Sequence, residues 1–400
     1  MNKKFEDMRG RLLFPIKNAN VNYKECTIST NMKNVFRGIH INNFDKLVTC
    51  INGKILDIII NFNENEEDYL KPQYFILDPN TDTFEILVKK NYGHAFLSLE
   101  DNSIVVYHLD GIFIDSETKH IHYMDPFINI NLPSNNIILS DKDDIKNFVK
   151  EIDYIVFGST GFLGSNIIKY LTVENKNFII CKLRLQQIDE IIKFLNIYKP
   201  KYVINCAGLT GTPNIFWCND NKIETIENNI TYQLTLAKIC NDMKIHLTIF
   251  GSGGIFKNDK MYKESDEGNF TNNFYSESRI YLENIVKNYN NVLYLRINYP
   301  IGNEKSDKNL LTKLLSYKNI DSVVLSITYI DNLFPILFKM IENSETGVCN
   351  FTNPGTINLI DIIKTYNMDR SSSLLECDKL LKYNPLTIDQ SIVVLKNNYI

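Results

Sequence analysis

Gly158-Ser159-Thr160-Gly161-Phe162-Leu163-Gly164 is the stretch that decides the fold of this chain. It follows directly on the apolar run Tyr154-Ile155-Val156-Phe157 and runs into residues 162–171, which have the makeup of a helix. Glycines at this spacing let the backbone turn tightly, approach a pyrophosphate and pack helix against strand, while the helix N-terminus favours the anion. A glycine triplet alone is weak evidence. Flanked by strand and helix, it points to a dinucleotide-binding Rossmann-type domain, with Gly158, Gly161, Phe162, Leu163 and Gly164 at the cofactor.

Downstream, residues 178–181, 202–207, 246–250 and 292–297 read as strands that alternate with helix-like segments. That alternation is the sign of a doubly wound parallel sheet. The second strand ends Cys181-Lys182-Leu183-Arg184, where a reader of the ribose 2′-hydroxyl of NAD carries an acid. Arg184 suits a 2′-phosphate, so NADPH is expected ahead of NADH; a solvated surface Lys and Arg is the plain alternative.

Upstream the texture differs. From Met8 to about Ile138 the chain shows short strands separated by turn signals, including residues 84–88, 95–99, 103–109 and 120–124. Leu47–Ile51, then Asn52-Gly53, then a second apolar run from Lys54 has the signature of a hairpin. Many strands without helices imply an all-β sandwich or barrel. Two domains are therefore expected, residues 1–145 and 150–400, which suits a chain of 400 residues.

Composition narrows the classes of function. With 44% hydrophobic residues the chain has enough apolar material for packed cores, and a net charge of −4 gives no electrostatic case for a nucleic-acid partner. Eight cysteines without a Cys-x-x-Cys pair favour reduced thiols over a disulfide frame or zinc site. Apolar runs such as Ile55–Ile60 fall far short of the roughly 18–20 residues a membrane span needs. The N-terminal basic residues lack a following apolar run, so no signal peptide is expected. The expectation is a cytoplasmic protein, in the host cytoplasm if the source is a virus, with no membrane partner.

Three segments of the second half carry chemistry. Phe250-Gly251-Ser252-Gly253-Gly254 ends a strand, Tyr275-Ser276-Glu277-Ser278-Arg279 opens a helix, and Asn205-Cys206-Ala207-Gly208 ends the strand before. A tyrosine with a cation four residues on can deliver a proton to a carbonyl as hydride arrives, while a serine hydroxyl bonds the oxygen. The segments Gly208–Cys218, with its Thr212-Pro213-Asn214 and Trp217-Cys218, Asn269–Ser276 and Asn350–Gly355 resemble the extended short-chain dehydrogenase/reductases. The resemblance is to the dTDP-4-dehydrorhamnose reductases and to the UDP-4-keto-6-deoxyglucose 3,5-epimerase/4-reductases of plants and giant viruses. It implies that Tyr275 is the proton donor, with Ser252 as its partner and Ala207 and Gly208 at the cofactor. Arg279 stands where the family has lysine; it keeps the charge but changes the shape. In the plant-type enzymes a cysteine and a lysine serve epimerisation, and the matching positions are Cys218 and Lys313, which could equally be a packed thiol and a surface lysine. A sugar 4,6-dehydratase is disfavoured, because Ser252 is followed by Gly253-Gly254-Ile255 and not by an Asp-Glu pair.

The first half holds Phe36-Arg37-Gly38-Ile39-His40, then Lys46, Gly93-His94, Tyr107 and Leu139-Ser140-Asp141-Lys142-Asp143. Proton exchange beside a ketone needs a base, a cation for the enolate and an acid on the opposite face. These segments, beginning at Asp7-Met8-Arg9-Gly10, resemble the cupin-fold dTDP-4-dehydrorhamnose 3,5-epimerases, and the thirteen-residue step from His94 to Tyr107 agrees. The resemblance implies a jelly-roll domain with His40 as base, Asp143 as its orienter, Tyr107 as acid, Lys46 by the enolate, and Arg9, Arg37 and His94 on the substrate. Core histidines in a non-catalytic cupin are the alternative. His120-Ile121-His122 could set two imidazoles on one strand face, but no metal is assigned.

Together these readings predict an epimerase and NADPH-dependent 4-ketoreductase acting on a nucleotide-activated 4-keto-6-deoxy sugar, UDP favoured over dTDP, in a homodimer. The rivals are an epimerase with a weak or inactive reductase domain and a non-catalytic glycan-binding or structural protein.

Overall fold

A computed structural model describes residues 3–7, 10–14, 23–113, 118–212, 214–257, 259–303, 306, 309–316, 324–358 and 360–362. The chain forms two compact units, Met1–Glu151 and Ile152–Ile400.

The first unit is built from antiparallel strands. β1 (Lys3–Asp7) and β2 (Gly10–Phe14) pair with each other. Of β3 (Glu25–Asn31), β4 (Phe36–Ile41), β5 (Lys46–Asn52), β6 (Ile55–Asn61), β7 (Pro72–Leu77), β8 (Glu85–Val88), β9 (Tyr92–Ser98), β10 (Ser103–Leu109) and β11 (Lys119–His120), one sheet takes the order β3-β10-β5-β8 and the other β11-β4-β9-β6-β7. Side chains alternate between faces with period two. Ile55 and Ile59 of β6, Phe96 of β9, Val48 and Cys50 of β5 and Val105 of β10 accordingly fill the space between the sheets. Ile58, Ile60, Ala95 and Leu97 point the other way and are covered by apolar residues of the segment from Ile121 to Val149.

Two strand expectations change. Asn52-Gly53 does not close a hairpin: β5 pairs with β10 and β8, whereas β6 pairs with β9 and β7. The left-handed Gly53 (φ +72°) instead turns the chain from one sheet to the other, packed where a Cβ would lie 2.4 Å from Ser103 Oγ. The expected strand 120–124 stops at His120, because after Ile121 pairs with Ile39 the backbone of His122 bonds Asn147 and Asp125 organises a turn.

The second unit is the expected Rossmann-type layer. β12 (Tyr154–Phe157), β13 (Phe178–Cys181), β14 (Tyr202–Asn205), β15 (His246–Ser252), β16 (Val292–Ile297) and, near its end, Gly347–Asn350 form a parallel six-stranded sheet in the order β13-β12-β14-β15-β16 and then that last strand. Helices Phe162–Val173 (α1) and Ile330–Glu342 pack on the core of Val156, Ile204, Leu293 and Leu295. The order reverses between β12's two neighbours, β13 and β14. In such sheets ligands bind at this switch point, beyond the carboxyl ends of the strands.

Candidate active sites

In the first unit the inward faces of the two sheets carry the polar side chains that sequence reading singled out. Lys46 and Tyr107 share the inward parity of Val48 and Val105 on one sheet; His94 shares that of Phe96 on the other. Arg37 and His40 are three residues apart, and a regular strand would send them to opposite faces. The register instead slips between them, so that Arg37 pairs with Phe96 and His40 with His94, two residues of one face. Gly38 permits the slip: its φ is +120°, and a Cβ there would lie 2.5 Å from the His94 carbonyl oxygen.

His40 Nε2 lies 2.6 Å from Asp143 Oδ1, and Ser140 Oγ donates to the other carboxylate oxygen at 3.0 Å. Burial alone would raise the Asp143 carboxyl, but the bonds and charge of His40 and Ser140 outweigh it and hold it below the ordinary value. Lys46 is buried and donates to Asn42 Oδ1 at 2.9 Å; burial lowers its ammonium to about 8, partly opposed by Asp57. Tyr107 is pushed up, chiefly by burial, against a hydrogen bond with Ser29 and the charge of Arg37. His94 stands edge-on to Tyr107 with ring centroids 6.4 Å apart. It is also held by Asp57 at 2.8 Å, and burial drives its imidazole toward the neutral form. Arg37 is exposed, and its Nε donates to Asn31 Oδ1 at 2.7 Å.

Asp57, Asn42, Asn31 and Ser29 were missed in the sequence. Only Asp57 had a signal, a charge in the midst of the apolar run Ile55–Ile60. His120 and His122, read as a pair, part company: His122 is 3.1 Å from Lys146 Nζ, whereas His120 stacks edge-on against His40. Arg9 lies outside the described residues.

In the second unit Gly158 (φ +70°) closes β12, and a Cβ there would lie 2.5 Å from the Ala207 nitrogen. A Cβ on Gly164 would meet the Gly158 carbonyl oxygen at 2.2 Å. Gly161 N–H bonds the Gly158 carbonyl at 3.1 Å and opens α1 with no side chain capping the first turn, the arrangement in which a helix N-terminus favours an anion. The loop from Ala207 to Leu209 is fixed by three buried amides. Asn205 Oδ1 accepts from Ala207 N at 3.0 Å, Gln233 Nε2 donates to Ala207 O at 2.9 Å, and Asn229 bonds both polar groups of Leu209. Asn229 lies in a π-turn, Glu227–Thr231, a distortion frequent at functional sites. Nothing local marked Asn229 and Gln233 in the sequence.

Ser252 ends β15, its Oγ accepting from Gly254 N at 3.0 Å. Tyr275 and Arg279 sit one turn apart on helix Phe274–Val286, which Asn273 caps through Ser276 N and which Ser276 Oγ ties to Gly254 O at 2.6 Å. The Arg279 guanidinium lies 5.3 Å from the centre of the Tyr275 ring. It is 5% exposed, closely faces Gly208, and keeps its Nε buried without a hydrogen-bond partner among the described residues. The glycine cradle at Gly158 and this orphaned donor beside Gly208 fit a dinucleotide with its nicotinamide ribose at Arg279. Cys218 is 0% exposed and is an electrostatic neighbour of Arg279. Lys313 falls in helix Leu310–Ser316, but its side chain lies outside the described residues. Arg184 is exposed just past β13.

Comparison with known proteins joins the two sites. Residues 2–151 match the family model of dTDP-4-dehydrorhamnose 3,5-epimerase, and residues 154–320 match that of the NAD dependent epimerase/dehydratase family. Fold, sites and matches define a class: a nucleotide-sugar epimerase domain followed by a nicotinamide-dependent reductase domain. A bifunctional dTDP-4-dehydrorhamnose 3,5-epimerase/dTDP-4-dehydrorhamnose reductase of Arabidopsis thaliana is 34% identical over 223 residues, which are 54% of this chain and 74% of that protein. The chain belongs to that family of epimerase/reductases. A trifunctional UDP-glucose 4,6-dehydratase/UDP-4-keto-6-deoxy-D-glucose 3,5-epimerase/UDP-4-keto-L-rhamnose-reductase of the same plant is 33% identical over 226 residues; the match takes in 54% of this chain but 34% of that protein. Among solved structures, the L780 UDP-rhamnose synthase of Acanthamoeba polyphaga mimivirus superposes with a TM-score of 0.53 at 27% identity, covering 61% of this chain and 90% of that one.

Proposed function

We propose that this chain converts a UDP-linked 4-keto-6-deoxyhexose into UDP-L-rhamnose, or a 2-acetamido relative, in two steps. The observation that carries the reading is the 2.6 Å bond between His40 and Asp143 opposite Lys46 and Tyr107, a base, an orienter, a cation and an acid in one space between the sheets. His40 removes the proton at C3, and at C5 if both centres invert. The Lys46 ammonium, already stripped of water, stabilises the enolate oxygen. Tyr107, whose burial keeps its phenol protonated, returns a proton to the opposite face. Arg37 and Arg9 neutralise the diphosphate, and His94, fixed by Asp57, bonds the sugar.

In the reductase half Gly158, Gly164 and Gly208 would hold the dinucleotide, NADPH by the exposed Arg184, which when bound would supply the hydride for C4. Tyr275 gives its phenolic proton to the ketone oxygen, and Ser252 Oγ donates a hydrogen bond to the same oxygen. The Arg279 cation stabilises the phenolate left behind. Cys218 and Lys313 are the second acid/base pair that the plant-type resemblance implies. UDP is favoured over dTDP on the superposition with the mimivirus UDP-rhamnose synthase, 90% of which is covered. A homodimer in the cytoplasm completes the reading.

The test is product analysis by NMR after incubation with UDP- and dTDP-4-keto-6-deoxyglucose in deuterated water with NADPH. Deuterium at C3 together with NADPH oxidation is expected, and Tyr275→Phe should abolish oxidation while exchange persists. Exchange without oxidation by the unaltered chain would overturn the reductase half; neither activity would overturn both.

A further inference from the structure

His120 has no part in the chemistry above, yet it sits beside the base. It is the cross-strand partner of His40 in the β4–β11 register, and the two rings meet edge to face with centroids 4.6 Å apart. Asp143 Oδ1 is 2.6 Å from His40 Nε2 and 3.9 Å from His120 Nδ1. One nitrogen from each histidine and one oxygen from Asp143 all lie within 4.8 Å of one another. His120 Nδ1 is buried and has no hydrogen-bond partner among the described residues, so a lone pair or N–H aimed at the carboxylate is left unspent. Ser140 holds the second carboxylate oxygen and keeps the acid from turning away.

We propose that His40, His120 and Asp143 form a capture site for a borderline divalent transition-metal ion, Zn²⁺ above all, and that its occupation silences the epimerase. Two imidazoles and one carboxylate are the ligand types of zinc, nickel and copper, whereas calcium and magnesium demand oxygen. Tetrahedral zinc, with bonds of about 2.0–2.2 Å, sets its ligand atoms about 3.3 Å apart. Small side-chain rotations bring the three atoms to that spacing, and the fourth position is left for water or the substrate ketone. No electrons move in the step. If Nε2 of His40 carries the proton shared with Asp143, that proton leaves for Nδ1 or for solvent as the Zn–N bond forms. The metal then replaces the bond between His40 Nε2 and Asp143, so the carboxylate no longer offsets the charge that Nδ1 would gain on taking the sugar proton. Among the described residues no other trio of histidine, cysteine and carboxylate ligands converges in this way; the His94–Asp57 pair in the same space has no third member.

The silencing rests on the epimerase assignment; the binding does not, so binding is measured first. Chelator-buffered Zn²⁺ is titrated into the full chain by calorimetry, into His120→Asn, and into His120→Cys, which restores a zinc ligand. The expected result is one tight zinc fewer, or at least a tenfold weaker one, in His120→Asn, with recovery in His120→Cys. Cobalt should give the intense visible bands of a low-symmetry site in the unaltered chain and lose them in His120→Asn. Zinc bound with equal number and affinity by all three proteins would overturn the proposal, since the metal would then sit elsewhere, as on an exposed thiol such as Cys26. If binding follows the expectation, deuterium exchange at C3 in a Cys218→Ala background, where the second acid/base pair is silent, should stop at one bound zinc and return with EDTA. Exchange that continues with the site filled would overturn the silencing alone.

Discussion

Replacing Asp143 by asparagine should slow the epimerase without touching the reductase. Asparagine keeps the shape and one acceptor oxygen but removes the charge that faces His40 at 2.6 Å. A hydrogen bond to a charged partner contributes about 1.5–3 kcal/mol, roughly twice a neutral one, so the loss expected in the proton-abstraction step is about 10- to 100-fold. The bond is half-buried: Asp143 is nearly inaccessible while His40 is 23% exposed, so solvent replaces only part of the interaction. The effect should appear in kcat and leave KM within about a factor of two, because Asp143 acts through His40 and contacts no substrate in the proposed arrangement. The assay is the rate of deuterium entry at C3 of the 4-keto-6-deoxy sugar nucleotide, followed by proton NMR. NADPH oxidation with the already epimerised ketone is measured in parallel as the control. With Cys218→Ala in both proteins, so that the second acid/base pair is silent, exchange within threefold of the Asp143 parent, or a KM that rises as much as kcat falls, would refute the assignment of His40 and Asp143 as base and orienter.

Three further outcomes follow from single environments. Burial lowers Lys46 to about 8, so its cation is present below that pH and lost above it; the epimerase rate should fall as pH rises through about 8, and Lys46→Met should flatten that limb. Between about 8 and the ordinary 10.5 the unfolded chain carries the extra proton, so this group makes stability rise with pH over the same interval, read as the urea midpoint. Gly158→Ala places a methyl 2.5 Å from the Ala207 nitrogen on a left-handed residue, a strain of about 1–2 kcal/mol before any clash. NADPH affinity by fluorescence titration should drop at least about tenfold, with deuterium exchange in the first unit unchanged. Finally, Arg296 Nε is 2.9 Å from Glu283 Oε2, its second nitrogen is 2.5 Å from Oε1, and both residues are buried. Glu283→Gln leaves that cation uncompensated and should cost about 3–5 kcal/mol, which a domain of this size registers as a melting point lower by about 6–20 °C in calorimetry.

Much of the architecture was legible along the chain, because it depends on local chemistry. The strand, the glycine turn and the helix at 154–171 are adjacent residues, and the requirement for a left-handed Gly158 is met within a few bonds. The change from period-two strands to strand–helix alternation near 145–150 is likewise a property of neighbours, and it separated an all-β half from an α/β half. The histidine, tyrosine and lysine positions were found through resemblance to families.

Tertiary structure decided what neighbours cannot encode. Asn52-Gly53 looks like a hairpin because the turn signal is local, but strand pairing is a competition among all edges, and β10, β8, β9 and β7 took those of β5 and β6. The bulge at Gly38, which turns Arg37 and His40 to one face, exists only against β9. Asp57, Asn229 and Gln233 act through partners 20 to 37 residues away, so no spacing along the chain marks them. His120 illustrates the division most plainly. In sequence it belongs with His122, two residues on; in space the strand ends between them, and cross-strand register gives it to His40 and Asp143 instead. A sequence specifies which groups are available and which local shapes they favour, whereas pairing and packing across the chain determine which of them meet.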